Sequence, residues 1–441
     1  MPRIGALPSC VIAYMLRFCG PDTVLKVACT SAWWCASSPD VVCQVIIARR
    51  LCAIAASIRD SDVWSPQLWP SDLRGCRYIA LFAMSRDGTA LGYAAFNLRA
   101  DRQVVLAAVA QNGDALRFAA DYMRADKDVV LAAVAQNSGT LEYTPGHLQH
   151  GNALRHAASD LRADKEVVLA AVAQNGNALQ YATAEMQAAK EVVLAAVTQN
   201  GYALQYAAED VRSDKEVVLA AVTQNGDALQ HATAEIQVDK EVVLAAVKQN
   251  GHVLQYATAE IQADKEVVLA AVTQNGNALQ YAAEYMRSNK EVVLAAVTQN
   301  GYALQHSAEH MRSDKEVVLA AVAQNSHALQ YATAEIQAAK EVVLAAVTQN
   351  GYALQYSAEH MRSDNEVVLA AVAQNGHALQ YATAEIQAAK EVVLAAVTQN
   401  GYALQYSTAE IRADKEVVLA ALAQNSNAIH FTMFAVQPNR T

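Results

Sequence analysis

His306 and His310 stand four residues apart, a spacing that puts two imidazoles on one side of a helix where they could share a metal ion. The pair does not recur, and no cysteine is at hand to complete a site. All seven cysteines (Cys10, Cys19, Cys29, Cys35, Cys43, Cys52 and Cys76) are crowded toward the start of the chain, none beyond Cys76. Their number is odd and no two have C-x-x-C spacing, so neither a zinc site nor a disulfide framework is expected, and buried free thiols are the plain reading. The phosphate-binding P-loop and the G-x-G-x-x-G and G-x-S-x-G patterns are absent from the sequence. No catalytic residue, metal or cofactor is expected.

The residues that remain able to do chemistry are tyrosine, histidine, glutamine and asparagine, and they recur at fixed intervals. From Asp164 onward the sequence repeats with a constant step, its units starting at Asp164, Ala189, Asp214, Asp239, Asp264, Asn289, Asp314, Ala339, Asp364, Ala389 and Asp414. Two earlier units start at Asp101 and Asp126, and a worn one at Cys76 keeps Gly88, Ala90, Leu91, Tyr93 and Ala94 in register, making about fourteen. Within a unit, position 14 is variable (Tyr202, Asp227, His252, Asn277, Tyr302, His327, Tyr352, His377, Tyr402, Asn427), position 17 is mostly Gln, and position 18 is Tyr206, His231, Tyr256, Tyr281, His306, Tyr331, Tyr356, Tyr381, Tyr406 or Phe431. Helical spacing would put positions 14, 17, 18 and 21 on one face. Such side chains offer area together with hydrogen bonds, so Tyr202, Tyr206, Tyr302, His306, Tyr352, Tyr356, Tyr402 and Tyr406 are the candidate partner-binding residues. The alternative is that they are solvated tips and contacts between repeats.

Two short helices per unit would position this face. In the first, D-K-E-V-V-L-A-A-V-T-Q-N, Asp at position 1 is suited to the N-cap, or Ser at position 25 can form an S-x-x-E capping box. Gly at position 13 would close the helix in the left-handed conformation. Val217 to Val222 are apolar all round, so this helix should be covered on most sides. The second helix is expected over positions 14–24, with Leu204, Ala207, Ala208 and Val211 forming one buried stripe. Neither helix can hide its apolar surface within a single unit, but stacking on the next unit can do so. The fold class expected is all-α, an α-solenoid of helix-turn-helix repeats over residues 76–441. One fault interrupts the period: the step from Asp126 to Asp164 is half a unit too long, and the surplus around 138–150 contains Pro145-Gly146, which predicts a kink or the scar of a deletion.

Charge limits the partners. The net charge is −10, and Lys at position 2 is followed by Glu, so no regular basic stripe exists for phosphates and nucleic acid is not expected. An anionic membrane surface is excluded on the same ground. No apolar run reaches the ~18 residues of a membrane span: Val41–Ile58 is broken by Arg49 and Arg50. Ile4–Leu16 makes a poor leader because of Pro8 and the following Arg17. A soluble monomer of the cytoplasm or nucleus is expected.

All four tryptophans join the cysteines in this early part of the chain, Trp69 being the last of them, and the shift in composition marks a domain boundary. Residues 1–52 read as a small helical module split at Gly20-Pro21-Asp22, and 53–75 as a linker. The order Leu7-Pro8, an apolar helix ending at Phe18, Asp22 with Leu25 and Val27-Ala28, Thr30-Ser31, Trp33-Trp34 and Ser38-Pro39-Asp40 resembles an F-box. Cys29, Cys35 and the doubled Trp depart from that pattern. The resemblance implies docking on the Skp-type adaptor of a cullin–RING ubiquitin ligase through Leu7, Pro8, Val11, Ile12, Leu16 and Leu25, with the repeats selecting a target. A simple cap on the solenoid is the other reading of this module. The repeats, as in Lys265–Ala282, resemble the family called domain of unknown function 4116, which implies a helical repeat and says nothing of chemistry. The function expected is a non-catalytic interaction scaffold. The alternatives are an expanded structural repeat without a dedicated partner, since the units from Asp314 and Asp364 differ only at Lys315/Asn365 and Ser326/Gly376, or a metal-binding protein or enzyme built on the histidines.

Overall fold

The run V-V-L-A-A-V forms the middle of one α-helix in each described repeat from Asp101 to Ala389, and V-V-L-A-A-L does so in the repeat from Asp414, as alanine and leucine favour. The computed structural model describes residues 74–75, 77–136 and 153–433. The F-box-like module, all but the last two residues of the linker, and the irregular stretch 138–150 lie outside the described residues. The described chain is all-α, with no strand among the described residues. It divides into two units, 1–174 and 175–441.

Each regular repeat is built from three pieces. In the repeat starting at Ala189 these are a long helix Lys190–Gln199, a 3-10 helix Gly201–Tyr206 and a short α-helix Glu209–Arg212. The expected single second helix is therefore broken. Position 19 leaves the helical region, as Ala207 does with φ −75° and ψ 151°, and position 20 follows it with Ala208 at φ −62° and ψ 154°. The buried stripe survives the break in part: Leu204, Ala207 and Val211 are buried, whereas Ala208, also expected in it, is half-buried.

The long helix starts as expected where position 1 is Asp. Asp214 accepts from the N–H groups of Glu216 and Val217. Ser213 instead ends the preceding short helix, so the capping-box alternative is not used there. Ala189, Ala339 and Ala389 leave their helices without a side-chain cap. The long helix is not covered all round: Val217, Val218, Ala221 and Val222 are fully buried, whereas Leu219 and Ala220 are half-buried.

The expectation for glycine is corrected. No position-13 glycine described adopts a positive φ. The helix stops at Asn in extended conformation (Asn200, φ −149°), and the glycine that follows lies against the next repeat. A Cβ on Gly201 would stand 2.5 Å from the carbonyl oxygen of Ala221. Its absence lets neighbouring backbones approach, while Ser326 shows that one interface accommodates a side chain there.

In the unit 175–441, long helices pack on long helices and 3-10 helices on 3-10 helices, repeat after repeat. The core is Leu at position 16 with the valines of positions 4, 5 and 9, fully buried from Leu204 to Leu404. At the last described repeat the equivalent of that leucine, Ile429, is 43% exposed, and Leu419 is 56% exposed. The repeat hides its apolar side on a neighbour, as its composition requires.

In the unit 1–174, the repeats on either side of the sequence fault stack as direct neighbours. Lys127 pairs with Asp164 at 2.9 Å and the Ala158 N–H donates to the Arg124 carbonyl at 2.9 Å, the same bonds that join regular repeats. The insertion interrupts the period without separating the flanking repeats.

Candidate functional site

Asparagine at position 12 sets the site's first geometry. Asn200 Oδ1 accepts from the Tyr202 N–H at 3.1 Å and starts the 3-10 helix that carries positions 14 and 18. Its Nδ2 donates to Asn177 Oδ1 of the preceding repeat at 3.1 Å. Asn250 reaches Asp227 in the same way at 2.9 Å, and Asn400 reaches His377 Nε2 at 3.0 Å. These position-14 side chains are thus held between two repeats.

Positions 14 and 18 meet across the repeat boundary and not within one helix. The ring at position 14 packs edge-to-face on the ring at position 18 of the next repeat: Tyr202 on His231, Tyr302 on Tyr331, His327 on Tyr356, Tyr352 on Tyr381, His377 on Tyr406 and Tyr402 on Phe431, with centroids 5.7–6.2 Å apart. His252 and Tyr281 do the same at 5.9 Å. These are favourable aromatic geometries. Tyr206 and His306 occupy the same position 18, but the preceding repeats present Asn177 and Asn277 at position 14. The expectation of one helical face containing position 21 fails at the break, because Glu209 starts a separate helix.

Exposure divides the ladder into layers. Tyr202, Tyr206, Tyr302, His306, Tyr352, Tyr356, Tyr402 and Tyr406 are all half-buried, and Gln205, Gln230, Gln305 and Gln380 at position 17 are exposed. Burial pushes the hydroxyls of Tyr202, Tyr356 and Tyr406 above the usual phenol range. They stay protonated as donors, as Tyr202 does to Asp227 Oδ2 at 3.2 Å. Burial, with the neighbouring Arg212 and Arg287, holds His231 and His306 below the usual imidazole value.

His306 and His310 do not share a helix. His306 ends the 3-10 helix, half-buried, and His310 lies exposed on the short helix Glu309–Arg312 beyond the break. Among the described residues no group of three or more His, Cys, Asp or Glu comes together to hold a metal.

Two features of the repeat boundary were not anticipated. Lysine at position 2 reaches into the next repeat and pairs with its cap and its glutamate: Lys240 lies 2.8 Å from both Asp264 and Glu266, and Lys340 lies 2.8 Å from both Asp364 and Glu366. Their charges are therefore committed to each other. Glutamine at position 11 accepts the position-13 N–H of the preceding repeat, as Gln224 does from Gly201 and Gln274 from Gly251, both at 2.6 Å. The signal was present: Gln stays fixed at position 11 while its neighbour at position 10 varies among Thr, Ala and Lys.

Comparison with known families fits this periodicity. The family model described as Domain of unknown function (DUF4116) matches residues 76–124, 101–149, 148–187, 190–237, 239–287, 289–337, 340–387 and 390–433. Most matches span about two of the repeating units. No curated protein matches the chain. Among the described residues no helix is long and apolar enough to cross a membrane.

Proposed function

The chain belongs to the family described as domain of unknown function DUF4116, and we propose that it is a non-catalytic scaffold that holds protein partners along its tyrosine and histidine ladder. One observation carries this reading: the ladder's rings are fixed by edge-to-face contacts between repeats, yet remain half-exposed beside position-17 glutamines that are exposed at Gln205, Gln230, Gln305 and Gln380 and half-buried at Gln330, Gln355 and Gln405. Side chains already immobilised lose little further entropy on binding, and tyrosine offers both area and a hydroxyl. The lysines are engaged by carboxylates of the next repeat, which disfavours a phosphate backbone as ligand.

In this reading residues 1–52 supply the connection to a larger machine. The F-box resemblance of Leu7, Pro8, Val11, Ile12, Leu16 and Leu25 supports docking on a Skp-type adaptor, with the repeats acting as the substrate receptor of a cullin–RING ubiquitin ligase. The working form is a monomer in the cytoplasm or nucleus. The test is affinity capture with three chains: intact, lacking 7–46, and carrying Tyr302→Ala, Tyr352→Ala and Tyr402→Ala together. Loss of the adaptor from the second and of a distinct partner from the third supports the proposal. Retention of every partner by both variants would reject it and favour a structural repeat without a dedicated partner.

A further inference from the structure

The sequence between 175 and 433 contains nine Asn-Gly pairs, each at positions 12 and 13 of a repeat. Asn-Gly is the dipeptide in which the backbone nitrogen most readily attacks the preceding side chain, because glycine places no Cβ in the way. In that reaction the glycine nitrogen gives its proton to solvent base and bonds to the asparagine Cγ. The Cγ–Nδ2 bond breaks and ammonia leaves. One water then opens the cyclic imide at either carbonyl, giving Asp or isoaspartate without any change of oxidation state.

The repeat boundary opposes this reaction at both of its atoms. The asparagine Oδ1 is held by the position-14 N–H, at 3.0–3.1 Å in Asn175, Asn200, Asn250, Asn275, Asn300, Asn350, Asn375 and Asn400. The glycine N–H donates to Gln Oε1 of the next repeat at 2.5–2.6 Å in Gly176, Gly201, Gly251, Gly276, Gly301, Gly351, Gly376 and Gly401. The attacking nitrogen must lose both its proton and this acceptor before it can react.

Gly226 is different. Among the described residues, no bond joins its N–H to Gln249, the glutamine that occupies the clamping position in the next repeat. A Cβ on Gly226 would meet Gln249 through that residue's Cβ at 3.1 Å, whereas on Gly201 it would meet the Gln224 Oε1 at 3.0 Å. Asn225 keeps its own bond to the Asp227 N–H at 3.0 Å. One of the two restraints is therefore missing at this pair.

We propose that Asn225-Gly226 is a site of spontaneous modification in the native chain, and that the next repeat's glutamine keeps the other eight pairs closed. Isoaspartate at 225 lengthens the backbone where Gly226 lies close to the Ala246 carbonyl, so conversion there loosens one defined interface.

The test is incubation of the full chain in mildly alkaline buffer, followed by proteolysis and mass spectrometry that separates Asn, Asp and isoaspartate at each pair. Conversion at Asn225 should run about tenfold faster than at Asn275 or Asn350, which keep the glycine clamp and, among the described residues, lack the Nδ2 bond to the preceding repeat that also restrains Asn200 and Asn250; about tenfold is the equivalent of one hydrogen bond. In denaturant the advantage should vanish. Gln299→Leu should bring Asn275 up to the rate of Asn225. Equal native rates at Asn225, Asn275 and Asn350 would overturn the proposal. So would an advantage for Asn225 that persists in denaturant, since local sequence would then be its cause. The native comparison needs no variant and stands even if Gln299→Leu fails to fold.

Discussion

Gln224 reaches back across a repeat boundary and takes the backbone N–H of Gly201 on its Oε1 at 2.6 Å. The N–H belongs to the residue after the long helix has stopped, where no helical partner is available. Removing the acceptor leaves a buried donor unsatisfied. Gln224→Leu should cost about 1–3 kcal/mol. Denaturant unfolding reads this as a lower midpoint with an unchanged slope, and an unchanged midpoint would show that the bond contributes nothing.

The uncapped helices offer the opposite experiment. Ala339 provides no cap, and among the described residues Lys315 of the preceding repeat pairs with Glu341 alone. Ala339→Asp should supply both a cap and a second partner for Lys315, raising stability by about 0.5–2 kcal/mol. Ala339→Asn should supply the cap only, as Asn289 does through the Val292 N–H. The difference in thermal midpoint between the two variants measures the ion pair, which should be small because the Lys315 side chain is half-exposed.

Acid should act in two windows. Burial lowers His231 and His306 in the folded chain from the ordinary value of 6.5, so the unfolded chain takes up protons first. Their contribution to stability is complete above that value and falls as pH drops below it. The hydrogen bonds from Lys190 and Lys215 lower Asp214 and Asp239 below 3.8, so their contribution is complete above 3.8 and is lost as pH falls through the folded values. Thermal midpoints across pH should show both declines, and His231→Gln with His306→Gln should shrink the first alone, leaving the part that burial of His156 contributes.

The repeat length, the long helix, the Asp cap and the buried leucines and valines were legible in the sequence because each is a local or periodic signal. The break at positions 19 and 20 was not. Ala207 and Ala208 are good helix residues, and only packing between repeats sets them in extended conformation. Glycine was misread for a related reason: a close approach such as that of Gly201 to the Ala221 carbonyl is set by the neighbouring repeat and leaves no trace in local sequence. The tyrosine and histidine positions were visible as a variable row, but their pairing across the boundary, Tyr352 with Tyr381, needed the register of the stack.

Two residues of one 3-10 helix should separate stability from recognition. Leu354 is fully buried, and Leu354→Ala should cost about 2–5 kcal/mol. Tyr352 is half-buried and pairs with Tyr381, so Tyr352→Ala should cost far less, about 0.5–1.5 kcal/mol for the ring pair plus its modest buried area. Partner capture should weaken in Tyr352→Ala while its circular dichroism stays that of the parent.

Native-state hydrogen exchange of the full chain, read at the position-13 amides, tests most directly whether each repeat is fastened by the next. Gly201, Gly251, Gly301 and Gly376 should exchange as slowly as amides inside the long helices, because their acceptors lie in the neighbouring repeat. Exchange of these four at the rate of an unstructured chain, while the long helices remain protected, would contradict the account.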